Sequence, residues 1–300
     1  MQKRLFLGMG LLIVAIMAVI GSNLFNASAA GVSSASSRKP HFFLNQSLVH
    51  SNATIPFATR NLTYHGGPVM VGTANAYAIF WEPGGNVASN YNSLIERYFG
   101  DIGGSSLYHI NTQYTNSSHG FASNAVFAGA WVDTHAYPES PLLDSDLQHE
   151  VTRALKSRGW KSGLNNIFFV YTQRGEDICF DSSGSQCASN TFCAYHSNFG
   201  NTLYAAMPYA ASFSCNPGAS PNHSDADQTI NVTSHEQMEA ATDPLGNAWT
   251  DSSGNEIGDK CAWRFGPRNA GGGDVTWNGH NYIVQKEWDN KAGGCTLTGP

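Results

Sequence analysis

The chain has 300 residues, of which only 13% are charged, and a formal net charge of −6. Loss of Lys3 and Arg4 with a leader would take that charge from −6 to −8, which argues against nucleic acid or anionic lipid as a partner. Six cysteines without any Cys-x-x-Cys pair exclude a zinc ribbon and predict three disulfides in an exported protein.

In chain order, Lys3 and Arg4 precede an apolar run from Leu5 to Ile20 and the small residues of "NASAAG". This predicts a signal peptide over 1–30, cut near Ala29 or Ala30; the competing reading is an uncleaved anchor, because the run is slightly long. No later run approaches the ~20 apolar residues that span a bilayer, so a secreted, extracellular protein without a membrane segment after signal removal is expected. Residues 31–62 are rich in Ser, Asn and Ala without periodicity and read as a low-complexity leader. Residues 63–300 are long enough for one domain with a sizeable core.

Within that domain, Tyr77, Ile79 and Trp81 alternate with Ala76, Ala78 and Phe80, as in a strand buried on both faces. Leu94, Ile95, Tyr98 and Phe99 fall at helical spacing and are closed by glycines. "NAVFAGAWVDT" reads as a second strand. Leu147, Val151 and Leu155 mark a helix ending at Gly159. The run from Asn165 to Gln173, β-branched and aromatic, is the strongest strand signal. A cysteine-rich irregular stretch follows, then a helix capped by Asp225 and Gln228 and stopped at Pro244. The tail carries short strands, with Asn278-Gly279 as a hairpin turn. Alternating strands and helices predict an α/β fold, a mixed sheet covered by helices with a disulfide-tied, β-rich C-terminal tail. Cys261–Cys295 is the preferred disulfide, with the other four cysteines pairing locally.

The chemistry concentrates in "TSHEQMEAATDP" (Thr233 to Pro244), two letters from the His-Glu-x-x-His helix of zinc peptidases. His235 and Glu239 lie one turn apart on one face, and Glu236 is rotated by roughly 100°. A zincin-like site would use His235 and Glu239 as metal ligands and Glu236 as general base. The third ligand comes from "GNEIGDKC", where Asp259 ranks ahead of Glu256. A carboxylate in place of the second imidazole makes the donor set more anionic. Zinc is expected first, with calcium or manganese as harder alternatives and a structural site left open. The bland account is a capping box from Thr233 to Glu236 on a helix that starts later. His65 beside Gly66-Gly67 and the pair His149-Glu150 are weaker candidates, explained by a turn and by an exposed helix face. Trp249, Trp263, Trp277 and Trp288 crowd the last fifth of the chain, where they either stack on sugars or pack the hairpins.

Four stretches, "YHGGPVM", "SHEQMEAATDPLGNAW", "GNEIGDKC" and "YIVQKEWDNKAGGC", together resemble the EXORDIUM-like, phosphate-induced protein family and its bacterial relatives. The resemblance runs from Tyr64 to Cys295. It implies a secreted, extracellular or cell-wall protein, and the family pattern carries the same His-Glu-x-x-Glu. Two functions follow: a metal-dependent peptidase or hydrolase acting on an extracellular peptide or cell-wall polymer, or a non-catalytic binding or signalling protein. A monomer is expected.

Overall fold

The structure, a computed structural model, describes residues 40–51 and 61–300. The expected signal peptide and residues 31–39 and 52–60 of the expected leader lie outside the described residues.

The both-sided apolar pattern of the central run has a simple cause. Strand β2 (Gly72–Trp81) follows β1 (Phe42–Leu44) in the chain and is joined in one sheet by β3 (Ala122–Asp133), β4 (Asn166–Thr172), β5 (Phe192–Phe199) and β6 (Thr202–Met207). The order across the sheet is β1-β5-β6-β4-β2-β3. Strands β3, β2, β4 and β6 run parallel to their neighbours, while β5 is antiparallel to β6 and β1 to β5. Helices α1 (Tyr91–Ile102) and α3 (Ala226–Thr242) cover one face, against Ala76, Ala78, Phe80, Phe169 and Tyr171. Helix α2 (Asp144–Arg158) covers the other, where Leu147 and Val151 meet Ile79, Trp81, Phe168 and Val170. Parallel strands under helices on both faces bury residues 78–81 of β2 and 167–171 of β4, so these stretches read as unbroken apolar runs. Gly159, at φ 70°, closes α2 in the left-handed region as expected.

Three expectations are corrected. The leader does not extend over all of 31–62: Phe42–Leu44 is an edge strand on β5, and Phe43 and Leu62 are buried. A strand of three residues is too short for alternation to register. The stretch expected to be irregular contains β5 and β6, joined by the two-residue turn Gly200-Asn201 with Gly200 at φ 55°. Such a turn is a hairpin signal, but β6 is buried at every position and shows no alternation. The cap of α3 is shifted by one residue. Asp225 instead accepts from Arg174 and Tyr209. Ser224 Oγ accepts from the Ala226 N–H at 3.2 Å, and Asp227 accepts from the Ser224 N–H at 3.3 Å.

The tail follows its expected outline. Val275–Trp277 pairs with His280–Tyr282 across Asn278-Gly279, whose φ values of 49° and 84° suit a tight hairpin turn. Disulfides join Cys179–Cys187, Cys193–Cys215 and Cys261–Cys295. Trp263, Trp277 and Trp288 are buried, and Trp249 packs between Tyr64 and Tyr114. Trp263, Trp277 and Trp288 therefore serve packing, and Trp249 is partly buried against the two tyrosines. No helix among the described residues is long and apolar enough to cross a membrane.

Phe43 ties the N-terminal segment to the interior, its ring stacked at 3.9 Å on His235 and at 4.7 Å on Trp263. Phe43→Leu nearly conserves volume but loses both ring contacts. It is expected to destabilise the chain by about 1 kcal/mol, read as an earlier urea midpoint at unchanged slope.

Candidate metal centre

Every residue of α3 from Thr229 to Thr242 is buried, so each polar side chain on it needs a partner inside the protein. Thr229 and Thr233 bond Tyr91 and Tyr171 at 2.9 and 3.1 Å, Gln237 accepts from Tyr98, and Asn231 accepts from the Gln285 N–H. His235, Glu236 and Glu239 turn instead toward one shared cluster. It is completed by His196 on β5, by Glu256 and Asp259 on the loop after α3, and by His41 just before β1.

The expected ligands converge. His235 Nε2 lies 3.0 Å from Glu239 Oε1 and 3.8 Å from Asp259 Oδ1. The ligand atoms of His235, Glu239 and Asp259 all fall within 4.8 Å of one another, and Glu256 joins both His41–Asp259 and His196–Glu239 within the same limit. Despite its short distance from Glu239, His235 Nε2 has no aligned hydrogen bond; neither do Glu236 Oε1, Glu239 Oε2 and Glu256 Oε1. Two donor atoms 3.0 Å apart without hydrogen-bond alignment are arranged as ligands of a common centre are. On the other side of the ring, Gln285 Nε2 faces His235 Nδ1 at 2.9 Å and donates to Gly258 O at 2.9 Å. With that donor on Nδ1, a neutral ring carries its proton on Nε2. Ligation through Nε2 therefore requires the Gln285 amide to turn over and accept the Nδ1 proton.

Glu236, the expected base, accepts from His196 Nδ1 at 3.1 Å through Oε2 and is fully buried. Asp259 is held by the Glu256 N–H at 3.0 Å and by His41 at 3.2 Å, while its own N–H donates to Glu239 Oε1. The 3-10 turn Asp259–Cys261 is anchored to the tail by Cys261–Cys295. His196 and His41 escape sequence reasoning because they stand in the segments read as irregular and as leader. The Gly200-Asn201 turn was the available signal for the first.

Burial, then the neighbouring carboxylates, hold Glu239 and Glu256 well above the usual carboxylate range; burial does the same to Glu287, which lies close by. Burial also raises Glu236 and lowers His235. At His196 desolvation is the largest single effect and lowers the pKa, but the hydrogen bond to Glu236 together with the charges of Glu236 and Glu239 outweighs it, so the pKa rises. His41 is raised to about 9 by its hydrogen bond to Asp259. The ion-pair partners of Glu236, Glu239, Glu256 and Asp259 are imidazoles, a donor set that a divalent cation fits.

Gly258 leaves room for this arrangement. A Cβ there would lie 2.6 Å from His235 Nδ1 and 3.0 Å from Glu239 Oε1, although its φ of −78° suits any residue. Gly258→Ala is therefore expected to cost about 1–3 kcal/mol by overpacking and to weaken metal retention roughly 10–100-fold, as metal-buffered titration would measure.

A cleft of ≈ 190 Å³ leads to the cluster, with His41, His196, Asn198, Leu245 and Glu256 among its lining residues. His235, Glu236 and Glu239 lie deeper and are fully buried. The other candidates stay apart. His65 is exposed and bonds Thr63 and Thr250 at its turn, whereas His149 is exposed on α2. Its neighbour Glu150 is buried rather than on the exposed face, paired with Arg153 and pushed up to about 8 by desolvation. Asp177, Cys179 and Cys187 also lie together, but their thiols form a disulfide and offer no thiolate.

No family model, curated protein or solved structure matches the chain.

Proposed function

We propose that the chain is an exported, EXORDIUM-like metal-dependent hydrolase with a zincin-like centre, acting on an extracellular peptide or cell-wall polymer. The observation that carries this reading is the convergence of His235, Glu239 and Asp259 on one buried point beside a cleft. These three residues would hold the ion, with Glu256 beside them. One imidazole and two carboxylates suit zinc and also the harder ions manganese and calcium. When bound, the ion would supply Lewis acidity toward a carbonyl and toward water. Glu236 holds His196 through Oε2 and keeps Oε1 without a hydrogen-bond partner; that oxygen is the one placed to take a proton. Its raised pKa brings it closer to the range a general base needs near neutral pH. Export is supported by the signal-like N-terminus and is compatible with three disulfides.

The complete burial of His235 and Glu239 favours a second reading, a structural ion in a non-catalytic binding protein. Elemental analysis of chain purified without chelator, followed by assays on casein and wall polymers, separates the two. Metal with hydrolysis supports the enzyme, metal without hydrolysis supports the binding protein, and a metal-free folded chain refutes both.

A further inference from the structure

We propose that Glu239 bridges two divalent cations, an inner one shared with His235 and Asp259 and an outer one shared with His196 and Glu256 at the cleft. This rests on the metal reading above and extends it from one ion to two. The two oxygens of Glu239 face different partners. Oε1 lies 3.0 Å from His235 Nε2 and accepts the Asp259 N–H at 3.0 Å. Oε2 lies 3.8 Å from His196 Nδ1 and has no hydrogen-bond partner. The ligand atoms of His196, Glu239 and Glu256 lie within 4.8 Å of one another, as do those of His235, Glu239 and Asp259, and Glu239 is the member common to both groups. Paired catalytic ions sit roughly 3.5–4 Å apart, a separation that one carboxylate spans with an oxygen on each.

The outer group also has the supporting contact that metal-bound histidines generally show. Glu236 Oε2 accepts from His196 Nδ1 at 3.1 Å, which orients the ring; Nε2, 3.9 Å from the unpartnered Glu256 Oε1, lies 3.3 Å from Asp243 O and must exchange that contact for a metal. His196 and Glu256 line the cleft, whereas His235 and Glu239 do not. The outer ion would therefore be the nearer of the two to a molecule in the cleft, with the inner ion behind it. The remaining group, His41 with Glu256 and Asp259, borrows a ligand from each ion and forms the rim of the same cluster.

The test uses the secreted chain without a histidine tag, stripped with chelator and titrated in parallel with Zn²⁺ and Mn²⁺ under equilibrium dialysis. Saturation at two equivalents of either ion, with a spin-coupled Mn²⁺ pair by electron paramagnetic resonance, is expected. His196→Ala should fall from two equivalents to one, and His196→Gln replaces it should the alanine variant lose its native circular dichroism. Saturation of the parent chain at one equivalent with both ions overturns the bridge and leaves the single-ion reading standing. No binding of either ion overturns both.

Discussion

Treatment of the purified chain with EDTA is expected to lower its melting temperature by about 10 °C at pH 8 and by far less at pH 5. The size follows from mass action. An ion at a thousand times its dissociation constant stabilises the native state by about 4 kcal/mol, and each kcal/mol is worth roughly 2–4 °C in a domain of this size. The pH dependence follows from Glu239 and Glu256, whose burial, reinforced by neighbouring carboxylates, holds both above the unfolded range. A raised folded pKa contributes stability fully below the unfolded value of about 4.3 and loses it as pH rises toward the folded value. The chelated protein thus weakens with rising pH. A divalent cation displaces those protons, so its contribution grows over the same interval. Asp259 runs the other way: burial alone would raise it, but its hydrogen bond to His41 and the histidine charges lower it. It is therefore ionised and ready for a metal across the whole window. Calorimetry at the two pH values, with and without chelator, measures the effect. Equal melting temperatures at pH 8 would remove the metal from this account.

Glu236→Gln is expected to reduce hydrolytic turnover by about 10²–10⁴-fold, the usual contribution of a positioned general base. Metal content should stay near that of the parent chain, because Glu236 contacts the cluster through His196 and belongs to none of the grouped ligand sets. An amide keeps the shape and still offers an oxygen to His196 Nδ1, but it cannot take up a proton. Steady-state cleavage of fluorescent casein, with elemental analysis of the same preparations, separates lost chemistry from lost metal. Unchanged turnover would show that Glu236 only orients His196.

Local physics in the sequence accounts for much of this protein. The unbroken apolar run of Ala76 to Trp81, the helical spacing of Leu147 and Val151, and the stop at Pro244 each act through near neighbours, and each element formed where its pattern placed it. His235 and Glu239 were legible as a pair because four residues are one helical turn. The partner loop was legible because Cys261 stands two residues beyond Asp259 and is tied to Cys295. His196 and His41 were decided only by tertiary structure. They meet Glu236 and Asp259 across sequence separations of 40 and 218 residues, through strand pairings that no short window contains. Strand β6 is buried throughout and β1 is three residues long, so neither carries a periodic signal. A buried site gathers its charges from distant segments because only the packed interior can hold them close together and away from water.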